Sequence, residues 1–151
     1  MTVDNLLKRR VHKPSSCQFC ATDESIHHLF FECVVGKWFW NLTSEFLHCN
    51  IGDSFETVAS KWLCEKRFSS LNVVTPCVLR ALWLTRNNFV FREQNWCSVK
   101  DLMGCALKLT KTWMPLYKDG DLEEMRRWNS SWNTISGRCC KFKTHEDLGD
   151  G

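Results

Sequence analysis

Three cysteines and a histidine near the N-terminus have the spacing of a metal site. Residues 17–33 read CQFCATDESIHHLFFEC and contain the pattern C-x2-C-x7-H-x4-C, formed by Cys17, Cys20, His28 and Cys33. A Cys-x2-Cys turn brings two thiolates to one ion, and a second ligand pair completes the tetrahedron that zinc accepts. The spacing therefore predicts a zinc site with these four residues as ligands.

Spacing alone leaves the ligand set partly open. His27 in place of His28 gives C-x2-C-x6-H-x5-C, and either Cys49 or His48 could replace Cys33. The alternative without a metal is a group of buried thiols, because cysteine is among the residues most often fully buried. However, no other pair of the ten cysteines has the Cys-x2-Cys spacing followed by a histidine. The pattern thus favours a metal site over chance proximity.

The segment between His28 and Cys33 must depart from a regular α-helix. Residues five apart in such a helix lie about 140° apart around its axis. The two side chains can face one ion only if the backbone tightens or changes direction between them. We expect Leu29, Phe30 and Phe31 to anchor that change in the core.

Composition indicates a folded protein of one domain. The chain has 151 residues, 44% of them hydrophobic, with eight tryptophans and ten phenylalanines. No run approaches the roughly 18 apolar residues of a membrane span, and the N-terminus lacks the apolar stretch of a signal peptide. We therefore expect no membrane insertion and an intracellular location, cytoplasmic or nuclear with the mitochondrion also allowed. There the cysteines stay reduced instead of forming disulfides.

The hydrophobic pattern predicts an all-α fold with a small N-terminal zinc knuckle. Asp53 and Glu56 are typical of a capping box, and Thr75 and Pro76 predict the start of a helix. Besides a short helix capped by Thr2, we expect helices bounded at Val34 and Phe46, Asp53 and Leu63, Thr75 and Arg92, Ser98 and Pro115, and Asp121 and Trp128. The expected domain covers residues 1–135, with the knuckle at about 12–34 and a polar, flexible tail at 136–151.

The order of the motifs resembles that of a known family. TVDNLLKRRV, CQFC, ESIHHLFFEC and KWFW together resemble the zinc-binding domain downstream of the reverse transcriptase in plant-type non-LTR (LINE-like) retroelements. The stretch LRALWLTRNNFVF, centred on Trp83 and Arg86-Asn87, is similar to the segment that follows in those polyproteins, so the resemblance spans residues 2–92. It implies that His28, and not His27, is the ligand. It also implies a stand-alone fragment of a retroelement.

Catalytic motifs are missing from the sequence. It contains no Tyr-x-Asp-Asp motif, no endonuclease-like acidic cluster, no RNase H set of acids and no Gly-rich phosphate loop. Four protein ligands also leave zinc no open position for water, so the site is expected to be structural. We therefore expect no enzyme activity and no small-molecule substrate.

Two functions remain open at the level of sequence. The first is a protein-interaction or regulatory module whose aromatic-rich helices bind an unidentified protein and interfere with it. The second is an RNA-binding module in which Lys8, Arg9, Arg10 and Lys13, beside the knuckle, neutralise phosphates. A net charge of only +3 favours the first. The lack of a polymerase, which would give template binding a purpose, favours it as well.

Overall fold

Helices make up nearly all the regular structure of the part of the chain that the computed structural model describes, residues 16–62, 69–92, 98–116 and 119–138. An isolated antiparallel bridge between Ser16 and Asp23 is the exception there. The prediction of an all-α fold is confirmed. A π-helix covers His28–Glu32, followed by α1 (Val34–Phe46), α2 (Phe55–Trp62), α3 (Ser69–Arg92), α4 (Val99–Trp113), a 3₁₀ helix (Met114–Leu116) and α5 (Asp119–Arg138).

Helix α3 lies at the centre of the packing. It contacts α4 most extensively and also touches α1, α2, α5 and the π-helix. Burying each large apolar side chain stabilises the fold by about 1.5–3 kcal/mol, so this shared core holds the helices together. Its fully buried members include Leu71, Val74, Val78 and Leu82 of α3, Leu102 and Met103 of α4, and Met125, Trp128 and Trp132 of α5.

Helix α3 begins nearly two turns earlier than the sequence predicted. We expected Thr75 and Pro76 to open it, but it starts at Ser69 and contains Pro76 in its interior. Leu71, Val73 and Val74, which precede the proline, are all buried. Burial of three such side chains, at about 1.5–3 kcal/mol each, exceeds the roughly 3 kcal/mol that a proline costs inside a helix. Tertiary packing therefore overrides the local start signal.

Two further helix ends differ from the prediction. Ser54, not Asp53, caps α2, since the backbone N–H of Thr57 donates to Ser54 Oγ at 3.3 Å. Helix α5 continues to Arg138 instead of ending near Trp128, because Trp132 extends its buried face. The region from 139 to 151, the rest of the predicted tail, lies outside the described residues.

The remaining helix limits agree with the prediction. Helix α1 spans Val34–Phe46, Ser98 is the N-cap residue of α4, and Pro115 lies in the 3₁₀ helix that follows α4. The predicted helix capped by Thr2 falls outside the described residues. Among the described helices, none has the combination of length and apolar character that spanning a bilayer requires.

Candidate metal centre

The Cys-x2-Cys segment forms a tight turn. Two backbone hydrogen bonds between Cys17 and the residues just after Cys20 close this turn. They run from Cys17 N to Thr22 O at 2.6 Å and from Ala21 N to Cys17 O at 2.8 Å. Ala21 has a φ of 60°, in the left-handed region, which lets the chain reverse direction just after Cys20. The turn thereby presents both thiols to one cluster.

Between His28 and Cys33 the backbone widens into a π-helix. The N–H of Cys33 donates to the carbonyl of His28 at 2.8 Å, five residues back. We predicted a tightening or a change of direction, and the structure instead shows a wider turn, with the change of direction at Cys33 itself, where ψ is 139°. A hydrogen bond between residues five apart places those residues on the same side of the helical turn. The side chains of His28 and Cys33 therefore both face the cluster. Single π-turns of this kind are frequent at functional sites.

The four predicted ligand atoms lie together in the structure. The Sγ atoms of Cys17, Cys20 and Cys33 and a ring nitrogen of His28 all lie within 4.8 Å of one another. The Sγ atoms of Cys17 and Cys33 are 3.7 Å apart, and Cys20 Sγ lies 3.1 Å from His28 Nε2. Two thiolates on a tetrahedral zinc with 2.3 Å bonds are separated by about 3.8 Å, so the Cys17–Cys33 pair has the separation that zinc requires.

The close contact of Cys17 and Cys33 shifts the pKa values of their thiols in opposite directions. The hydrogen bond between them lowers the pKa of Cys33. The same bond, together with burial, raises the pKa of Cys17. Because zinc binds thiolates, any proton held between the two sulfurs must leave when the metal enters.

His28 is oriented by contacts on its backbone and on the outer side of its ring. Its backbone N–H donates to Ser25 Oγ at 2.9 Å. Ring atom Nε2 faces Cys20, while Nδ1, on the opposite side of the ring, lies 3.8 Å from Glu32 Oε2. A carboxylate on the outer nitrogen is the usual support of a metal-binding histidine. The ring is thus turned so that Nε2 points into the cluster.

The alternative ligands lie elsewhere. The His27 side chain is 48% exposed, and its Nδ1 lies 3.4 Å from Glu32 Oε1. The thiol of Cys49 contacts the carbonyl of Asn50, and His48 is exposed. Among the described residues, none of the three joins the cluster. The residues predicted to bind nucleic acid, Lys8, Arg9, Arg10 and Lys13, lie outside the described residues.

The position of the cluster coincides with a family match. Residues 1–40 match the family described as zinc-binding in reverse transcriptase. All four clustered residues fall within this segment, which covers about a quarter of the 151 residues. No curated protein and no solved structure matches the chain. The matched segment is thus similar to a zinc-binding domain associated with reverse transcriptase, which is not the catalytic part of that enzyme.

Family match and geometry together identify a structural zinc centre. Three sulfur donors and one imidazole form a donor set typical of structural zinc. When bound, the metal links the Cys-x2-Cys turn to the π-helix and acts as a cross-link in the fold. With all four side chains as ligands, no coordination position is left for a substrate.

Ligand spacing did not reveal the buried ion pair that holds this zinc centre against helix α3. Arg86 donates from Nε to Glu24 Oε2 at 3.1 Å and from Nη2 to Glu24 Oε1 at 2.5 Å, and both side chains are 1% exposed. Glu24 lies midway between Cys20 and His28 along the chain. A signal was present, because Arg86 continues the apolar stripe of Val78 and Leu82, where a charge requires a buried partner.

Proposed function

We propose that this chain is a zinc-binding protein derived from a plant-type non-LTR retroelement, and that it acts as a protein-interaction or regulatory module without enzyme activity. In this proposal Cys17, Cys20, His28 and Cys33 bind the zinc ion. The observation that carries the proposal is an aromatic surface beside the centre, formed by the exposed His27 and Phe55 with the half-buried Phe30 and flanked by Glu32 and Glu56. We call it the Phe55 surface.

The rings of the Phe55 surface are held in a fixed arrangement. Phe55 is 38% exposed and is one of four large apolar side chains that are exposed among the described residues. Its ring lies 5.8 Å from that of Phe30 and 6.5 Å from that of His27, in edge-to-face contacts. The buried ring of Phe31 supports it from beneath at 4.7 Å. Exposed aromatic side chains on a firm base are typical anchors of protein interfaces.

The charges around the Phe55 surface favour a protein over RNA. Glu32 is 56% exposed and its Oε1 lies 3.4 Å from His27 Nδ1, and Glu56 is exposed in the first turn of α2. Carboxylates repel phosphates, whereas they pair with lysine and arginine. Arginine also binds the faces of aromatic rings. The surface therefore suits a protein segment that presents a basic side chain next to an apolar one.

Zinc binding and this surface are linked through the backbone. His27 directly precedes the π-helix and Phe30 lies within it, while the cluster residues His28 and Cys33 stand at its two ends. Site formation and folding are coupled in small zinc domains. Zinc thus orders the surface without taking part in a reaction. This is the role expected of a non-enzymatic module.

Co-purification with and without nuclease tests the proposal. The chain is tagged and compared with a Phe55→Ala, Glu56→Lys double variant and with the control Glu123→Lys, which reverses an exposed carboxylate on α5. We expect one set of proteins to survive nuclease treatment with wild type and control and to disappear with the double variant, while all three retain zinc. Captured proteins that vanish with nuclease, or that bind the double variant equally, would contradict the proposal.

RNA binding is the second candidate. It is favoured by the match to a domain of reverse transcriptase, an enzyme that works on nucleic acid. The matched segment also includes Lys8, Arg9, Arg10 and Lys13. The salt dependence of RNA binding distinguishes this candidate from the protein-interaction function.

A further inference from the structure

The buried pair of Glu24 and Arg86 joins two distant parts of the chain at the zinc centre. Two nitrogens of the guanidinium meet two oxygens of the carboxylate, in a geometry that fixes both direction and distance. Arg86 Nη1 also donates to the side-chain oxygen of Asn87 at 3.2 Å, and its guanidinium lies 5.8 Å from the centre of the Phe91 ring. The arginine is therefore held on its own helix as well as by its partner.

Glu24, whose carboxylate binds Arg86, directly precedes the segment that positions the side chain of His28. Ser25, next to Glu24, accepts a hydrogen bond from His28 N on its side chain and one from Leu29 N on its carbonyl. These two bonds cap the turn that leads into the π-helix. Fixing Glu24 thus fixes Ser25, and Ser25 fixes the backbone from which the His28 ring projects.

We propose that Arg86 is a positioning residue of the zinc centre. It holds Glu24, and through Ser25 it places His28 at the cluster, so full zinc affinity requires helix α3. This inference rests on the proposed ligand set. It goes beyond that set because Arg86 lies 46 residues past the end of the segment that matches the zinc-binding family. The centre is then not complete within residues 1–40.

Burial makes this contact different from a surface ion pair. Both side chains are 1% exposed, so neither charge has water to replace a lost partner. If the arginine is removed, Glu24 must turn outward or take up a proton, and either change moves the loop between Cys20 and His28. Loss of a group bonded directly to a metal ligand typically alters metal affinity by 10- to 100-fold. Because Arg86 acts through Glu24 and Ser25, we expect its effect near the lower end of this range.

Zinc release from the full chain tests the role of Arg86. A chromophoric chelator measures zinc affinity and release rate, and Co²⁺ in place of zinc reports the ligand geometry by its visible absorption. We expect Arg86→Met and Glu24→Gln to weaken zinc binding by about 10-fold or more and to change the Co²⁺ spectrum. Arg86→Lys, which keeps the charge and loses the paired geometry, should fall between wild type and Arg86→Met.

A core variant separates positioning from general stability. Leu102→Ala on α4 removes a fully buried side chain from the core and should lower the melting temperature while leaving zinc affinity within about 2-fold of wild type. If Arg86→Met does not fold, Arg86→Lys and Glu24→Gln carry the comparison. Unchanged zinc affinity and an unchanged Co²⁺ spectrum in the Arg86 and Glu24 variants would overturn the inference. Absence of zinc from wild type, or its retention in Cys20→Ser, would instead overturn the ligand set.

Discussion

The indole nitrogen of Trp40 donates a hydrogen bond of 2.7 Å to the carbonyl oxygen of Phe30. Phe30 lies in the middle of the π-helix, and the chain changes direction at Cys33, so carbonyls near the end of this turn lack partners within it. The ring of Trp40 also stacks on that of Phe31, with centroids 5.7 Å apart and an angle of 10°. Helix α1 thereby fixes the turn that carries His28 and Cys33.

A methyl group at Gly36 should disrupt this contact. A Cβ atom there would lie 2.9 Å from Phe30 O and 3.1 Å from Leu29 O, both backbone atoms of the π-helix. We expect Gly36→Ala to lower the free energy of unfolding of the zinc-loaded protein by about 1–3 kcal/mol, because α1 must move away. Urea denaturation measures the change.

Gly104 on α4 provides the matched control. Outside the adjacent backbone of α4, no heavy atom lies within 4 Å of the position of its Cβ, so an alanine fits without displacement. Gly104→Ala should raise the free energy of unfolding by about 0.5–1 kcal/mol, since glycine is a poor helix former. Equal effects of the two substitutions would show that the close approach at Gly36 is unimportant.

Helices with a clear apolar stripe were predictable from sequence, whereas those shaped by tertiary contacts were not. The periodicity of residues 34–46 marks α1 because one face of that helix is buried. The proline at position 76 marked a helix start, yet packing of Val73 and Val74 extends α3 across it. Trp132 could have extended the prediction for α5, since it lies four residues after Trp128. Ser130 and Ser131 between them obscured the pattern.

At the metal centre, spacing and the family resemblance together predicted which side chains meet, but not how the backbone brings them together. A five-residue separation of His28 and Cys33 showed that a regular helix would fail, and the π-turn is the actual solution. The partner of Arg86 could not be identified, because several carboxylates are present and spacing over 62 residues carries no information about contact. Long-range pairs of this kind depend on how the helices pack.

Replacement of a clustered cysteine should remove the metal. We expect wild type to contain about one equivalent of zinc and Cys20→Ser to contain far less, because three ligands hold zinc poorly and folding of the site requires the metal. Cys49→Ser is the matched control, since Cys49 is also half-buried and lies outside the cluster. Elemental analysis after gel filtration gives the ratio. Equal zinc contents in the two variants would exclude Cys20 as a ligand.

Two cysteines with raised pKa values, the buried Cys77 and the half-buried Cys105, should resist thiol reagents. Burial raises the pKa of Cys77 to about 11, and burial also raises the pKa of Cys105. Because the thiolate is the reactive form, both should stay unlabelled by iodoacetamide at pH 8 in the folded protein and become labelled in urea. Mass spectrometry of peptides locates the label, with the half-buried Cys49 as the internal control.

The raised pKa of Cys77 also has a consequence for stability. The folded state binds this proton more tightly than the unfolded state, in which the pKa is near 9. The contribution of Cys77 to the free energy of unfolding is therefore constant below about pH 9. It should decrease as the pH rises from 9 towards 11. Cys77→Ala should make that decline shallower. An unchanged pH dependence would show that Cys77 ionises as freely in the folded protein as in the unfolded chain.

Salt dependence should separate protein binding from RNA binding. If the basic segment binds RNA, log affinity falls linearly with log salt, by roughly 0.7–0.9 for each phosphate contact. Arg9→Ala with Arg10→Ala would then reduce the slope and abolish the biological effect together. In the protein-interaction function the Arg9, Arg10 variant keeps the biological effect, whereas Phe55→Ala with Glu56→Lys loses it, because apolar contacts depend little on salt.

We therefore expect weak RNA binding at physiological salt, measured by fluorescence anisotropy of a labelled oligonucleotide. Micromolar or tighter binding that disappears in the Arg9, Arg10 variant along with the biological effect would favour the RNA-binding function instead.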